Sequence, residues 1–308
     1  MNINPKRKRL NTQINGRIRS EAQKRGANPG LIRYQLVFQC FLRRLFSTGS
    51  NDWVLTGGAA LLMRRGDGRF TQDLDLARSR EWNDTAAVEK EFHSISGLSE
   101  LDPFRFEVKS ISEQRGGDPD GYSGSTLKAK LAVYLEATEF VRFSIDITTQ
   151  RHTQFPIDNI EIVSLLSSVL REEVSTFSIN VTPVETQLAD KICAMYEPHR
   201  DTGSTRYHDL ADIISIIQTL PFSADALCEK LRHEAQRRKI SLPDSMVAPN
   251  KGWSTAFKRN APGYRLLPDN LHPLDAALEY VGETLNPILN GSRTHGQWNP
   301  TSEQWDSQ

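Results

Sequence analysis

The sequence predicts an α+β fold in two lobes, with a mixed sheet in the N-terminal lobe and helices in the C-terminal lobe. Between residues 51 and 162, short runs rich in β-branched and aromatic residues are separated by turn residues, which is typical of strands. From residue 163 onward the apolar residues recur every three or four positions, which is typical of helices. The 308 residues also exceed one typical domain of roughly 100 to 200 residues.

The predicted organisation has four parts. They are a basic N-terminal arm and helix at 1–50, a sheet domain at 51–162, a helical lobe at 163–290 and a disordered tail at 291–308. In the first lobe the patterns predict helices at 29–47, 59–65 and 85–95, strands at 53–56, 70–76, 104–111, 126–135 and 140–148, and a Gly-rich connection at 116–124. In the second they predict helices at 185–197, 205–219, 224–239 and 274–289, and Trp253 and Phe257 anchor the Pro- and Asn-rich segment 241–269.

Composition restricts the class of protein. Hydrophobic residues make up 38% of the chain and charged residues 25%, so the chain can bury a core. Cys40, Cys193 and Cys228 lie far apart without a Cys-x-x-Cys pair, which favours a reducing cytoplasm. No run approaches the ~20 apolar residues that cross a bilayer, and the N-terminus lacks the apolar segment of a signal peptide. We expect a cytoplasmic protein with no membrane partner.

Positive charge is concentrated in two places, although the formal net charge is zero. Residues 1–26 contain eight Lys and Arg residues but a single acidic residue, Glu21. The second cluster consists of Lys230, Arg232, Arg237, Arg238 and Lys239. Both clusters could contact the phosphates of a nucleic acid, and the alternative is a solvated surface with a partly frayed terminus.

Two aspartates of one predicted strand carry the strongest chemical signal. Asp73 and Asp75 are two positions apart, so their carboxylates share one face about 7 Å apart and repel each other. A divalent cation removes that repulsion, and Mg²⁺, with Mn²⁺ as the alternative, suits all-oxygen ligands. Asp146 lies on the polar side of another predicted strand and joins the centre if the two strands are neighbours. Such a centre can clamp the attacking and leaving oxygens of a phosphoryl displacement.

The residues before these aspartates offer groups that bind phosphate. Gly57-Gly58 lies between a predicted strand and a helix, where backbone N–H groups can face a triphosphate, and Arg69 precedes the acidic strand. Each feature alone has an ordinary explanation, because strand-to-helix turns often contain glycine and exposed strands often carry acids. The combination favours a nucleotide site that includes Gly57, Gly58 and Arg69.

Two predicted helices supply a lysine and an aspartate. On its predicted helix, Lys191 projects between apolar side chains, so its ammonium group lies near an apolar face and needs an anionic partner. The alternative is that the aliphatic part of the side chain only covers apolar surface. Asp209 flanks the apolar stripe of the next helix, where a salt bridge with Arg206 is the alternative to a role in a site. His208 and His199 have no metal-ligand spacing, and we interpret them as surface or packing residues.

Together these motifs resemble the AbiEii or MenT type of nucleotidyltransferase toxin, within the DNA polymerase β-like superfamily. The family pattern is Gly-Gly, then Arg-x-Ser/Thr-x-Asp-x-Asp, then a helical lysine, then an Arg-x-x-Asp-Leu helix. Its four parts stand here in order as Gly57-Gly58, Arg69 to Asp75, Lys191 and Arg206 to Leu210. The resemblance extends from about Val54 to Ile217 and implies that the sheet lobe is the nucleotidyltransferase domain.

The resemblance implies roles for individual residues. Thr71 and Asp73 belong to the nucleotide and metal site, Lys191 contacts phosphate, and Asp209 completes the site from the helical lobe. The carboxylate pattern of the superfamily adds Asp75 and Asp146 to the metal site. The implied reaction is a magnesium-dependent transfer of nucleotides from a nucleoside triphosphate to the 3′ end of tRNA, which releases pyrophosphate and blocks aminoacylation and translation.

The resemblance also implies a cognate antitoxin. In some members this is a kinase-like protein that phosphorylates the Ser/Thr of the nucleotide site, which is Thr71 here. Two alternatives remain open from the residues themselves. One is a nucleotidyltransferase that modifies a protein or a small molecule, and the other is a catalytically inert binding module whose acids are only solvated.

Overall fold

A computed structural model describes residues 5–49, 52–69, 71–78, 85–113, 126–149, 157–173, 176–198 and 204–306, with the side chains of 5–9 and 149 excepted. Phe70, His199 and the predicted connection at 116–124 lie outside the described residues. The chain divides into two compact units, Met1–Thr182 and Pro183–Gln308.

The first unit contains a seven-stranded sheet in the order β3-β4-β5-β2-β1-β7-β6. Its strands are β1 (Trp53–Thr56), β2 (Asp73–Arg78), β3 (Phe104–Glu113), β4 (Thr126–Leu135), β5 (Thr138–Thr149), β6 (Asp158–Val163) and β7 (Thr176–Val181). Its helices are α1 (Pro5–Lys24), α2 (Pro29–Ser47), α3 (Gly57–Arg65) and α4 (Thr85–Ser96). β2 is parallel to β5 and β1 to β7, while the other neighbours are antiparallel, which confirms the predicted mixed sheet.

Alternation along the strands gives the sheet a buried face and a polar face. Leu74 in β2 and Ile145 in β5 are fully buried, whereas the polar residues on either side of them are half-buried. Helix α2 packs on the buried face, where the rings of Phe38 and Phe143 lie 5.3 Å apart edge to face. The core therefore fixes the direction of the polar side chains on the opposite face.

A buried ion pair joins α2 to the residues before β3. Arg44 and Asp102 have fully buried side chains, and the guanidinium donates two hydrogen bonds of 2.8 Å to the carboxylate. The same guanidinium donates to the carbonyls of Ser96 and Phe104, both at 2.7 Å. Because the buried charges are paired and hydrogen-bonded, these interactions offset the cost of removing the two ions from water.

The basic N-terminal arm is a packed helix and not a frayed terminus over the described residues. Ile14, Ile18 and Ala22 recur every four positions and are buried along one side of α1. Arg17 donates a 3.0 Å hydrogen bond to the carbonyl of Val169. This apolar stripe packs the arm against the rest of the first unit. It is easily overlooked in the sequence because charged residues surround it.

The second unit is mainly helical, as predicted. Its elements are α5 (Val184–Tyr196), α6 (Tyr207–Thr219), β8 (Phe222–Ser223), α7 (Ala224–Arg237), α8 (Trp253–Asn260), α9 (Leu274–Leu289), β9 (Gln297–Asn299) and β10 (Gln304–Asp306). Trp253 and Phe257 are fully buried, which confirms them as anchors of the irregular segment. The Trp253 indole N–H donates to the carbonyl of Ser204 at 2.7 Å.

The predicted disordered tail is wrong for residues 291–306. β9 pairs with β8 and with β10, so the segment completes a small three-stranded sheet. Trp298 is only 4% exposed, stacks on Phe222 and donates its indole N–H to the carbonyl of Ile217 at 2.8 Å. The polar composition suggested disorder, but two tryptophans bury enough apolar surface to hold a short hairpin.

The boundary between the units also differs from the prediction at 162–163. β7 lies within the predicted helical lobe, yet it pairs with β1 and β6 and so belongs to the large sheet. The first unit therefore ends at Thr182. In neither unit do the described residues form a helix that is long and apolar enough to cross a membrane.

Candidate active site

Three aspartates lie on the polar face of two neighbouring strands. β2 and β5 pair in parallel, with Asp75 beside Asp146 and Asp73 beside Ser144. Residues at matched positions of adjacent strands point to the same face, so the three carboxylates share one surface. The strand of Asp146 is thus a neighbour of the Asp-x-Asp strand, which was the condition for Asp146 to join the site.

The sequence reasoning missed two residues of this surface. Lys128 in β4 is opposite Asp146, with its Nζ 3.0 Å from Oδ1 and 3.1 Å from Oδ2. The Ser144 hydroxyl donates to the carboxylate of Asp73. The sequence did contain an indication of Lys128, because Lys128 and Lys130 alternate with buried residues in the strand just before that of Asp146. To place Lys128 at the site from sequence, the two strands must be paired as a hairpin.

Lys128 responds to the charge of all three aspartates. Burial is the largest influence and lowers its pKa, but the hydrogen bond to Asp146 and the charges of Asp146, Asp73 and Asp75 together outweigh it. The pKa of Lys128 is therefore raised, and the side chain is a cation at neutral pH. Lys128 therefore neutralises part of the negative charge of the three carboxylates.

The glycine turn touches two of the predicted site residues. Gly57 has φ +65°, and a Cβ at this position would lie 2.8 Å from Cγ of Asp75. A Cβ on Gly58 would lie 2.7 Å from Nη2 of Arg69. Because the Asp75 carboxylate and the Arg69 guanidinium both lie against the turn, the turn, Arg69 and Asp75 form one cluster.

The start of α3 is directed to this cluster without a side-chain cap. Its N-cap residue, Thr56, makes no side-chain hydrogen bond to the helix, and its hydroxyl donates instead to the carbonyl of Asp75 at 3.4 Å. The first N–H groups of a helix have no partners within the helix and favour anions. The predicted phosphate site at Gly57 and Gly58 is compatible with this arrangement.

Thr71 holds the chain at the start of β2. Its hydroxyl donates to the carbonyl of Asp73 at 3.1 Å and accepts from the Asp73 N–H at 3.4 Å. The side chain is half-buried. Thr71 thus positions the backbone of Asp73, while its contact with a nucleotide stays a prediction.

Lys191 in the second unit has two anionic partners of its own. Its Nζ lies 3.1 Å from Oδ1 of Asp209 and 2.6 Å from Oδ2 of Asp212, and all three residues are buried. Arg206 donates to Oδ2 of Asp209 at 2.6 Å, so the salt bridge considered as an alternative is also present. His208 Nε2 is 3.5 Å from Asp209. The spacing of Asp212 three residues after Asp209 on α6 could have indicated this second carboxylate.

Much of the second basic cluster is used inside the second unit. Arg237 and Arg238 are buried and bind the carboxylate of Glu234 at 2.5 and 2.7 Å. Arg232 and Lys239 are exposed. This segment therefore offers a nucleic acid fewer charges than the sequence suggested.

The carboxylates of the first unit fit a magnesium ion by donor chemistry. Among the described residues, no group of three or more His, Cys, Asp or Glu side chains is arranged as a complete metal site. Magnesium does not require one, because it is commonly held by one or two carboxylates together with water and substrate phosphates. Asp75 and Asp146 are adjacent oxygen donors, and a cation already contacts Asp146 in the form of Lys128.

Comparison with known proteins identifies the family. Residues 40–280 match the family described as "Nucleotidyl transferase AbiEii toxin, Type IV TA system". The chain belongs to the AbiEii family. Because the match includes the acidic strands and the helices with Lys191 and Asp209, this AbiEii protein is a nucleotidyltransferase of a type IV toxin–antitoxin family. Membership of such a family implies an antitoxin partner.

Solved structures are similar to this AbiEii protein. MenT4, a nucleotidyltransferase toxin from Mycobacterium tuberculosis H37Rv, has a TM-score of 0.53 and 16% identity, and the match covers 92% of this chain and 89% of that one. JHP933 from Helicobacter pylori has a TM-score of 0.45 and 13% identity, with 85% and 92% covered. The likeness to MenT4 shows the fold. A comparison with curated proteins gives no match.

Proposed function

We propose that this AbiEii protein transfers nucleotides from a nucleoside triphosphate to the 3′ end of tRNA, with magnesium at Asp73, Asp75 and Asp146. The observation that carries the proposal is the pairing of Asp75 with Asp146 beside the glycine turn. It supports a phosphate-handling centre in which acids and phosphate-binding N–H groups are adjacent.

In the proposed reaction the 3′-hydroxyl oxygen of the acceptor attacks the α-phosphorus of the triphosphate. A new P–O bond forms, the bond from the α-phosphorus to the bridging oxygen breaks, and pyrophosphate leaves as the hydroxyl proton passes to solvent. Gly57 and Gly58 bind phosphate oxygens through the start of α3, and Arg69 adds a positive charge. Thr71 keeps Asp73 in place through its two hydrogen bonds.

Magnesium, when bound, neutralises charge on the phosphate oxygens and on the carboxylates that hold it. Lys128 holds the Asp146 side chain and offsets part of the acidic charge before substrate binds. For the second unit we retain as proposals that Lys191 contacts phosphate and that Asp209 acts with it. The proposed location is the cytoplasm, where triphosphates and tRNA are both available.

Incubation with total tRNA and each labelled triphosphate in turn tests this proposal. Wild-type protein should place label on RNA in a magnesium-dependent manner, and Asp73→Ala should reduce the rate at least about a thousandfold, because several kcal/mol of charge stabilisation are lost. Glu100→Ala, which alters an exposed acid, is the matched control and should react like the wild type. Label on protein would identify a protein-modifying transferase, and no label on any acceptor would favour an inert binding module.

The proposed consequence for the cell is a block of aminoacylation and so of translation. Induced wild-type protein should arrest growth, and tRNA extracted from the arrested cells should be poorly charged in an aminoacylation assay. Asp73→Ala at equal abundance should allow growth. Arrest with fully chargeable tRNA would contradict this consequence and leave the transfer reaction itself intact.

We also propose that the antitoxin, as a kinase-like protein, silences the enzyme by phosphorylating Thr71. A phosphate adds about 1.5 to 2 negative charges beside Asp73 and removes the hydrogen bond donated by the hydroxyl. Mass spectrometry of the co-expressed pair should detect phosphate on Thr71, and removal of this phosphate by a phosphatase should restore transfer activity. Full silencing without any modification of Thr71 would exclude this mechanism.

A further inference from the structure

A pocket of about 300 Å³ opens beside the acidic surface of the first unit. Asp73 and Ser144 line it together with three cationic side chains, those of Lys109, Lys130 and Arg142. Lys130 is opposite Ser144, which in turn lies beside Asp73, so the pocket follows one transverse row of the sheet. It is therefore contiguous with the proposed catalytic surface.

The cationic side chains of this pocket can exchange their present partners for an incoming anion. Lys109 pairs with Glu107 at 2.5 Å and Arg142 with Glu139 at 2.6 Å, and the side chains of these cations are 40% and 70% exposed. Such exposed pairs contribute little free energy, so an incoming phosphate can replace the carboxylate. Lys130 is exposed, and the described part of the chain places no carboxylate within ion-pair distance of it.

The three cations extend over three neighbouring strands. Lys109 lies in β3, Lys130 in β4 and Arg142 in β5, and adjacent strands are about 4.8 Å apart. From β3 to β5 the cations are therefore spread over about 10 Å, which exceeds one phosphate group. A chain of successive phosphates matches this spread better than a single small anion does.

The order of strands separates this pocket from the glycine turn. The turn follows β1 on one side of β2, whereas the cations lie on β3, β4 and β5 on the other side. A transfer reaction joins two phosphate-bearing substrates, which must approach the same carboxylates from different directions. The uncapped start of α3 suits the triphosphate, and the pocket is left for the acceptor.

We propose that the pocket lined by Lys109, Lys130 and Arg142 binds the backbone phosphates of the nucleic-acid acceptor. This inference rests on the proposed function for the identity of the acceptor, but its geometry depends only on the first unit. It also places the positive charge for acceptor binding on strands β3, β4 and β5, outside both basic clusters of the sequence.

Fluorescence anisotropy with labelled tRNA, without triphosphate or magnesium, tests this proposal apart from catalysis. Lys130→Glu should weaken RNA binding roughly tenfold at low salt, because one cation becomes an anion within a set of phosphate contacts. The slope of log affinity against log salt should fall by about one. Lys90→Glu makes the same charge change on the exposed surface of α4 and should leave the affinity within a factor of about two.

The possible results test the acceptor role of the pocket independently of the proposed function. Equal RNA binding by Lys130→Glu and Lys90→Glu would overturn the pocket, even if wild-type protein labels tRNA. Weaker binding by Lys130→Glu alone would support the pocket, even if no label is transferred. A loss of triphosphate affinity with unchanged RNA affinity would assign the pocket to the donor and overturn the proposal, as would wild-type protein that binds no RNA.

Discussion

The two units each hold an aspartate cluster with a lysine, but the clusters differ in accessibility. In the first unit, Asp146 and Lys128 have side chains that are 35% and 29% exposed, and Lys128 shares the surface with two further aspartates. In the second, Lys191 is 6% exposed and bonds to two buried carboxylates. Solvent can reach the first cluster, so a cation and a phosphate can approach its carboxylates.

The difference shows that a lysine beside aspartates does not by itself indicate a binding site. The buried cluster is closed by its own ion pairs, and its interactions operate in a low dielectric, where removing one partner is costly. The accessible cluster is screened by water, so its ion pair contributes less to stability and is easier to rearrange. Three substitutions sharpen this comparison.

The largest expected effect on stability is that of Lys191→Met. It leaves Asp209 and Asp212 buried without their shared cation, and we expect a loss of about 3 to 5 kcal/mol in the free energy of unfolding, measured by urea denaturation. The control Lys258→Met removes an exposed lysine of the same unit and should change stability by less than about 0.5 kcal/mol. If Lys191→Met is as stable as the wild type but inactive, the lysine serves phosphate binding and not the closed cluster.

A smaller effect is expected for Gly57→Ala, compared with Gly66→Ala. Both glycines have positive φ, of +65° and +69°, so alanine at either costs about 1 to 2 kcal/mol of backbone strain. A Cβ meets nothing within 4 Å at Gly66, whereas at Gly57 it displaces the carboxylate of Asp75. Thermal unfolding should therefore show the larger loss for Gly57→Ala, and transfer activity should fall for this variant only. Equal activity of the two variants would show that the position of Asp75 is not critical.

The smallest expected effect is the pH-dependent contribution of Lys128. Its pKa is raised in the folded protein, so the stabilisation is fully present below the ordinary lysine pKa and is lost as pH rises through the raised value. Lys128→Met should lower the free energy of unfolding by no more than about 1 kcal/mol because the pair is partly exposed. The difference from wild type should stay constant between about pH 7 and about pH 9 and shrink only above the raised pKa. A difference that disappears already at neutral pH would contradict a raised pKa.

Much of the fold could be predicted because local patterns dominate it. The glycine turn, the acidic strand and the main helices follow from spacing, and the alternation of Asp73 and Asp75 with buried leucines fixed their common face. The tail could not be predicted, because two tryptophans separated by polar residues form a hairpin only when β8 is available to pair with them. The boundary at Thr182 could not be predicted for the same reason, since β7 joins the large sheet by pairing with β1, which is distant in the sequence.

The sequence by itself determined the four motifs, their order and the presence of paired carboxylates, since these depend on residue type and on spacing along one element. Only the tertiary structure decided which strands are neighbours. That choice places Asp146 beside Asp75, brings Lys128 to both oxygens of Asp146 and gathers three cations at one pocket. It also gives Lys191 two buried partners. The physical reason is that hydrogen-bonded register and burial join residues far apart in the chain, and no local periodicity specifies such pairs.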